Sequence, residues 1–272
     1  MTCRHLRWSW RVASTQRELD DVARIRWAVF GGELGLLSEQ SALTRREVTC
    51  VDTLDTTVHV LVYAGDEPVA TMRVALPNAE VAANLGGKVG LEMEQRVDLS
   101  GLLQPGRVFA EPSRFCVLPK WRRSEAVTWL QAGMFAESRR RGVTHWIASA
   151  NLETDSPVDA HLSWQVAARR GWVSPHWRVA VSDPQQAPVQ SRSPYYTPEE
   201  RAQAARGLLD ALRLPRAPAL FARTMGARFI AEPLYDTYFQ WFTLPLVMAL
   251  DEVPAESVTR FRTLEQGLSL AA

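Results

Sequence analysis

Apolar positions along the chain switch between two periods, one helical and one extended. Leu19, Val22, Ile25 and Val29 recur at helical spacing behind a Thr15-x-x-Glu18 capping box. This predicts a helix over 16–30 that ends near Gly31-Gly32. "VHVLVY" (58–63) and "VATMRVAL" (69–76) are strand-like and joined by "AGDEP", which predicts an antiparallel hairpin. Residues 77–107 carry Gly86-Gly87, Gly90 and "QPGR" and read as mostly irregular. "VFAEPSRFCVL" (108–118) is the next strand, and Pro112, which has no amide to donate, predicts a bulge or a sheet edge there. A helix over 124–141 follows, with Val127, Leu130 and Met134 on one face and Gly142 closing it. Then come a strand at 144–150, a helix at 158–170 stopped by Gly171, and a strand at 177–181.

Residues 183–198, "DPQQAPVQSRSPYYTP", read as a loop or linker. A helix over 199–213 comes next. From Ala227 two aromatic and β-branched runs surround "EPLYD", and they either add strands to the same sheet or form a small extension. The element order implies an α/β or α+β fold with helices on a mixed sheet. Its expected organisation is a core over 1–182, the linker at 183–198, and a C-terminal helix and strands over 199–272 that complete the same domain.

Composition narrows the function classes. With 272 residues, 46% hydrophobic and 22% charged, the chain can bury a sizeable core. A net charge of +1 gives no global field for nucleic acid or membrane, so any cationic site must be local. Cys3, Cys50 and Cys116 have no metal-ligand spacing, which points to a reducing cytoplasm and no metal. The start of the chain shows no apolar signal core, and "WFTLPLVMAL" is too short to span a bilayer.

The stretch "FAEPSRFCVLPKWRR" (109–123) concentrates the candidate chemistry. Glu111 lies among Phe109, Pro112 and Phe115. An apolar site raises a carboxylate's pKa, and such a group can take a proton from an attacking amine; alternatively Glu111 forms a plain salt bridge with Arg114. Lys120, Arg122, Arg123 and Ser124 lie between a strand and a helix start, either as a solvated turn or as a site for a single phosphate. Asp52 and Asp55 precede the first hairpin strand, and Arg26 and Arg73 stand on apolar faces. A network of Arg26, Arg73, Asp52, Asp55, Glu111 and Arg114 would compensate all of these charges. The five histidines, His5, His59, His145, His161 and His176, show no ligand spacing and read as surface or satisfied residues. Cys116 has no evident base and reads as core. Six of the ten tryptophans lie between 121 and 177 and either line an acyl tunnel or fill the core.

"RIRWAVF…ELGLL", "VDTLD", "VATMRVALP" and "AEPSRFCV" together resemble the pattern of acyl-homoserine-lactone synthases and long-chain N-acyl amino acid synthases, members of the GNAT acyltransferase superfamily. The matching residues are Arg26, Phe30, Asp52, Asp55, Arg73, Glu111 and Arg114. "EMEQRVDLSGL…AEPSRFCVLPKWRR" and "PALFARTMGARFIAEPLYDTYF" are similar to the ornithine-lipid acyltransferase and N-acyl amino acid synthase branch. Leu36 stands where homoserine-lactone synthases carry a tryptophan, the chain is longer than those synthases usually are, and Ala231 replaces the glycine expected before Glu232-Pro233.

The resemblance implies a GNAT-like twisted mixed sheet flanked by helices, with a C-terminal extension. It implies an acyl-phosphopantetheine donor on acyl carrier protein, a small-molecule amine acceptor, and no bound cofactor, metal or nucleic acid. In that scheme Glu111 and Arg114 are catalytic, Glu111 being the general base. Amides around Phe115, Cys116 and Val117 polarise the thioester carbonyl. Arg26, Phe30, Asp52, Asp55 and Arg73 shape the acceptor pocket, and Lys120, Arg122, Arg123 and Ser124 meet the carrier's phosphate. An amphipathic product would bring transient membrane contact. The alternatives are a homoserine-lactone-type synthase using S-adenosylmethionine, a coenzyme A-dependent acetyltransferase, from which the absent Gly-rich loop distances the chain, and a carrier-binding GNAT module without catalysis.

Overall fold

The structure, a computed structural model, describes residues 7–37, 39–182 and 185–269. Cys3 and His5 therefore lie outside the described residues. In chain order β1 (Trp8–Val12) precedes α1 (Gln16–Arg26), whose cylinder continues as π-helical turns over Trp27–Glu33. Then follow α2 (Glu39–Thr44), β2 (Thr57–Ala64), β3 (Glu67–Ala75), α3 (Ala79–Leu85), β4 (Phe109–Val117) and α4 (Ala126–Arg140). The remainder is β5 (His145–Asn151), α5 (Pro157–Arg169), α6 (Pro198–Ala205), α7 (Arg216–Thr224), β6 (Arg228–Phe229), β7 (Leu234–Asp236), β8 (Trp241–Ala249) and α8 (Ala255–Ser269). Among the described residues no helix is long and apolar enough to cross a membrane.

The chain divides into two units. The first draws on residues 1–77, 110–143 and 255–272. Its sheet runs β1-β2-β3-β4 with every neighbour antiparallel. The predicted hairpin is β2–β3, and Val62/Tyr63 marks a bulge that leaves Val69 without a partner on β2. Beyond this bulge His59 stands opposite Arg73 and Leu61 opposite Thr71, while Val60 faces Met72. Residues directly opposite share a face, so polar His59 and Arg73 lie on one side and Val58, Val60, Met72 and Val74 on the other.

Each face has its helix. α4 packs on β1, β2 and β3, and α8 packs on α4, with Phe135 and Phe261 ring centroids 5.6 Å apart. A Cβ on Gly133 of α4 would come within 2.6 Å of the Trp10 ring of β1, so this glycine admits the indole. α1 covers the opposite face. The Thr15–Glu18 capping box is formed as expected, with Thr15 N–H donating to Glu18 Oε2 at 3.0 Å and Glu18 N–H to Thr15 Oγ1 at 3.3 Å. The helix does not end at Gly31-Gly32. It widens into π turns, with Leu34 N–H reaching Val29 O at 3.1 Å. Gly31 lacks the Cβ that would press within 3.0 Å of Trp27 Nε1 and 3.1 Å of Leu37 Cδ1, so the turn can close over the Trp27 ring.

The second unit draws on residues 78–109 and 144–254. β8 is its central strand, paired antiparallel with β5, β6 and β7. The aromatic runs around "EPLYD" thus supply strands. Several expectations shift here. α3 forms inside the stretch read as irregular, capped by Asn78 Oδ1 accepting from Glu80 N–H and Val81 N–H at 3.0 Å each. The strand expected at 177–181 reduces to one bridge, Val181 with Val97, closed by Asp98 N–H to Ala180 O and Ser182 N–H to Arg96 O at 2.9 Å each, while the Val179 amide turns to Ile230 O at 3.1 Å. The helix expected over 199–213 stops at Ala205, since Gly207 adopts φ +80°. β1, α2 and α8 were not anticipated.

The described part of the 183–198 segment, from residue 185, is irregular but pinned from α5 and the residues just before it. Buried Asp155 accepts from Ser191 Oγ (2.5 Å), Arg192 N–H (2.8 Å) and Ser193 N–H (2.9 Å). Buried Asp159 accepts from Tyr195 N–H (2.7 Å) and Tyr196 N–H (3.2 Å) and takes both arms of Arg201 at 2.7 and 2.8 Å.

Gly133→Val should lower the unfolding free energy by about 2–3 kcal/mol through overpacking against Trp10. Urea denaturation checks this; an unchanged midpoint would show that the β1–α4 contact yields.

Candidate active site

The polar face of the first unit is built by strand register. Arg73 opposes Ser113, and Ala75 opposes Glu111, so Glu111, Ser113, Arg73 and His59 share the face that α1 covers. The ladder then slips between Thr71 and Arg73, where Arg114 and Phe115 together oppose Met72. This is a β-bulge, with Arg114 in the left-handed region at φ +55°. A non-glycine residue there costs of order 1–3 kcal/mol. The bulge sits two residues beyond Pro112, not at it; Pro112 keeps its place opposite Val74. Its effect on phase is direct: Cys116, three residues after Ser113, lies on the same face.

The loop before β2 supplies the counter-charges. Asp52 Oδ1 accepts from Arg26 Nη1 at 2.8 Å and lies 3.5 Å from Arg73 Nη1. Its Oδ2 accepts from Thr49 N–H at 2.7 Å and Thr49 Oγ1 at 3.1 Å. The Thr49 hydroxyl in turn accepts from Arg73 Nη1 at 2.9 Å, and Arg73 Nε donates to Ser113 Oγ at 2.9 Å. Glu47 binds Arg26 Nη1 through Oε2 (3.4 Å) and Arg114 Nε through Oε1 (3.0 Å). The Arg114 guanidinium lies 5.9 Å from the Phe30 ring centroid. Arg26, Arg73, Glu47 and Glu111 are 1%, 0%, 2% and 6% exposed. Three guanidiniums and three carboxylates thus gather on one closed face, where removing one partner of a buried pair costs about 3–5 kcal/mol.

Electrostatics follow from burial. Desolvation works to raise the Asp52 pKa, but the Arg26 charge and hydrogen bond, the Thr49 amide and the Arg73 charge outweigh it and hold the pKa at about 2. His59 is lowered to about 4, by burial first and by the Arg26 charge second. It is therefore neutral at pH 7. Arg26 Nη2 donates to Nδ1 at 3.0 Å, which leaves the proton on Nε2, 3.3 Å from the Asp52 carbonyl oxygen. Cys116 is fully buried and desolvation pushes its thiol up to about 12, so it is packing rather than nucleophile.

The structure brings together Arg26, Asp52 and Arg73 in direct bonds and joins Arg114 to Arg26 through Glu47, with Phe30 beside Arg114 and Glu111 on the same face. Asp55 stands apart, exposed in the turn before β2. Glu47, Thr49, Ser113 and His59 belong to the site and were not singled out for it. Glu47 follows Arg45-Arg46 and reads in the sequence as part of a surface charge run. His59 is a satisfied residue, as expected, but satisfied inside this network.

Beyond the bulge, Leu118 N–H donates to Val69 O at 3.0 Å. By strand alternation the Cys116 amide faces β3 and the Val117 amide faces away from it. The Val117 carbonyl accepts from Arg122 Nε at 3.2 Å. Arg122 is also paired through both terminal nitrogens with Glu33, and Lys120 lies 2.6 Å from Glu67. Ser124 Oγ accepts from Ala126 N–H at 3.2 Å and donates to Trp121 O at 2.6 Å in the turn that leads into α4. Arg123 is exposed.

Residues 21–155 match the family model of the N-acyl amino acid synthase FeeM. That span contains the whole network, the bulge and the basic turn. L-ornithine Nα-acyltransferase of Agrobacterium fabrum is 28% identical over 161 residues, 56% of this chain and 52% of that protein, so the chain spans about half the length of the curated relative it matches. The solved structure of FeeM, from uncultured soil microbes, superposes with a TM-score of 0.51 at 10% identity, over 92% of this chain and 94% of that one. The fold is that of the FeeM structure.

His59 gives the site a pH signature. Its pKa in the folded state lies below the unfolded value of 6.5, so the unfolded chain takes up the proton first. The stability it contributes is complete above pH 6.5 and is lost as pH falls toward 4. Asp52 adds a further loss below pH 4. Between pH 7 and 4.5 His59 should remove roughly 2–3 kcal/mol. His59→Gln should flatten that span in urea unfolding measured at both pH values; an equal fall in both proteins would place the titration elsewhere.

Proposed function

We propose that the chain is an N-acyltransferase that moves a fatty acyl group from a carrier-protein thioester to the amine of an amino acid or a related small molecule. The observation that carries this reading is Glu111, a buried carboxylate on the Arg73–Ser113 face, three residues before a left-handed bulge in the same strand. The matches to an N-acyl amino acid synthase family and to an ornithine Nα-acyltransferase support it.

The bulge breaks the β4 ladder, and the Val117 amide beyond it faces away from β3 as a donor for the thioester carbonyl oxygen. The acceptor's neutral amine attacks the carbonyl carbon as Glu111 takes its proton. The C–S bond then breaks, and the thiolate leaves with that proton. Arg26, Asp52, Arg73 and Arg114 hold Glu111 and the acceptor in register. Lys120, Arg122, Arg123 and Ser124 form the approach for the carrier's phosphate, which competes with Glu33 for Arg122 and with Glu67 for Lys120.

Purified protein supplied with acyl-carrier thioesters and pooled amino acids should release free thiol in an amine-dependent way and yield an N-acyl amino acid by mass spectrometry. Methylthioadenosine formed on addition of S-adenosylmethionine would overturn the assignment in favour of lactone synthesis. Glu111→Gln should lower kcat at least about 10²-fold with the fold retained; full turnover would remove Glu111 from the proton transfer. Arg122→Glu with Arg123→Glu should raise the KM for the acyl carrier about tenfold at unchanged kcat, and an unchanged KM would place the carrier elsewhere.

A further inference from the structure

We infer that Glu47 is a positioning residue, which sets the conformation of the β4 bulge from helix α1; this rests on the acyl-transfer reading above. Glu47 is held at three points. Its backbone N–H donates to Ala23 O of α1 at 3.0 Å. Its Oε2 meets Arg26 Nη1 at 3.4 Å, one turn further along that helix, and its Oε1 accepts from Arg114 Nε at 3.0 Å. Glu47 is 2% exposed, so a desolvated carboxylate makes both contacts.

The chain reaches this position through Arg45, itself left-handed at φ +53°, which turns the segment after α2 so that Glu47 faces inward while Arg46 pairs outward with Asp20. Arg114 is the bulge residue, and its left-handed backbone must be maintained by its surroundings. Glu47 supplies a fixed, desolvated anion at the end of its side chain. A carboxylate anchored to α1 therefore determines where the Arg114 guanidinium points. It thereby orients the peptide planes between Glu111 and Val117. It touches neither amine nor thioester in the proposed reaction. Its contribution is the alignment of the strand segment that carries base and amide donor.

The test is a cycle of Glu47→Gln, Arg114→Gln and the double variant, with Glu47→Asp as the charge-retaining control should Glu47→Gln fail to fold. Steady-state thiol release gives kcat and both KM values, and hydrogen–deuterium exchange reports the β4 amides. Glu47→Gln should lower kcat at least tenfold with both KM values within threefold. The double variant should fall no further than the poorer single variant, since Glu47 acts on the bulge through Arg114. Exchange over residues 111–117 should speed at least tenfold in Glu47→Gln while residues 57–64 keep their protection. Glu47→Asp should exchange more slowly over 111–117 than Glu47→Gln. Losses that multiply in the double variant, or unchanged exchange over 111–117, would overturn the assignment. If the wild type releases no thiol with any acyl thioester, the acyl-transfer reading fails on its own, and the exchange result still decides whether Glu47 holds the bulge.

Discussion

Three guanidiniums can share one strand face without water only if anions are fixed among them. Asp52 and Glu47 divide that task. Asp52 bridges Arg26 of α1 and Arg73 of β3, and Glu47 bridges Arg26 and Arg114 of β4. Arg26 is common to both, so the helix, the loop and two strands are tied through one side chain. Such a network is weak evidence for net stability, because desolvation offsets most of the attraction. What it provides is directional: each charge has one place to go.

The two irregularities of the sheet make that possible. The bulge that leaves Val69 without a partner on β2 shifts the β2–β3 register, so that His59 opposes Arg73; without it His59 would oppose Met72. The β4 bulge keeps Cys116 on the face of Ser113 and Glu111. Polar residues reach the α1 side, and aliphatic ones stay under α4, through backbone irregularity as much as through sequence alternation.

This explains what the sequence made legible. The α1 capping box, the β2–β3 hairpin, β4, α4, β5 and α5 follow from period and punctuation. Arg26, Asp52, Arg73 and Arg114 were legible as buried charge awaiting partners; Asp52 pairs with Arg26 and Arg73, while Arg114 pairs with Glu47. Glu47 was not, because an acid beside two arginines has the composition of a surface run and only the turn at Arg45 brings it inside. Asp55 has the same sequence credentials as Asp52 and lies outside the network, since the short 3₁₀ turn at Cys50–Thr53 points only one of the two inward. The register shifts, the π turns after Arg26 and the position of the β4 bulge depend on packing between distant segments, which local pattern does not encode.

The segment from residue 185 to Thr197 offers a different lesson. Asp155 and Asp159 grip it largely by main-chain amides, those of Arg192, Ser193, Tyr195 and Tyr196. A path fixed through the backbone places little demand on the side chains it carries. Exposed positions such as Arg192 are free to drift over evolutionary time while the trace stays put. Conservation in this stretch would accordingly concentrate on the two aspartates in α5 and the turn before it, not on the loop they hold.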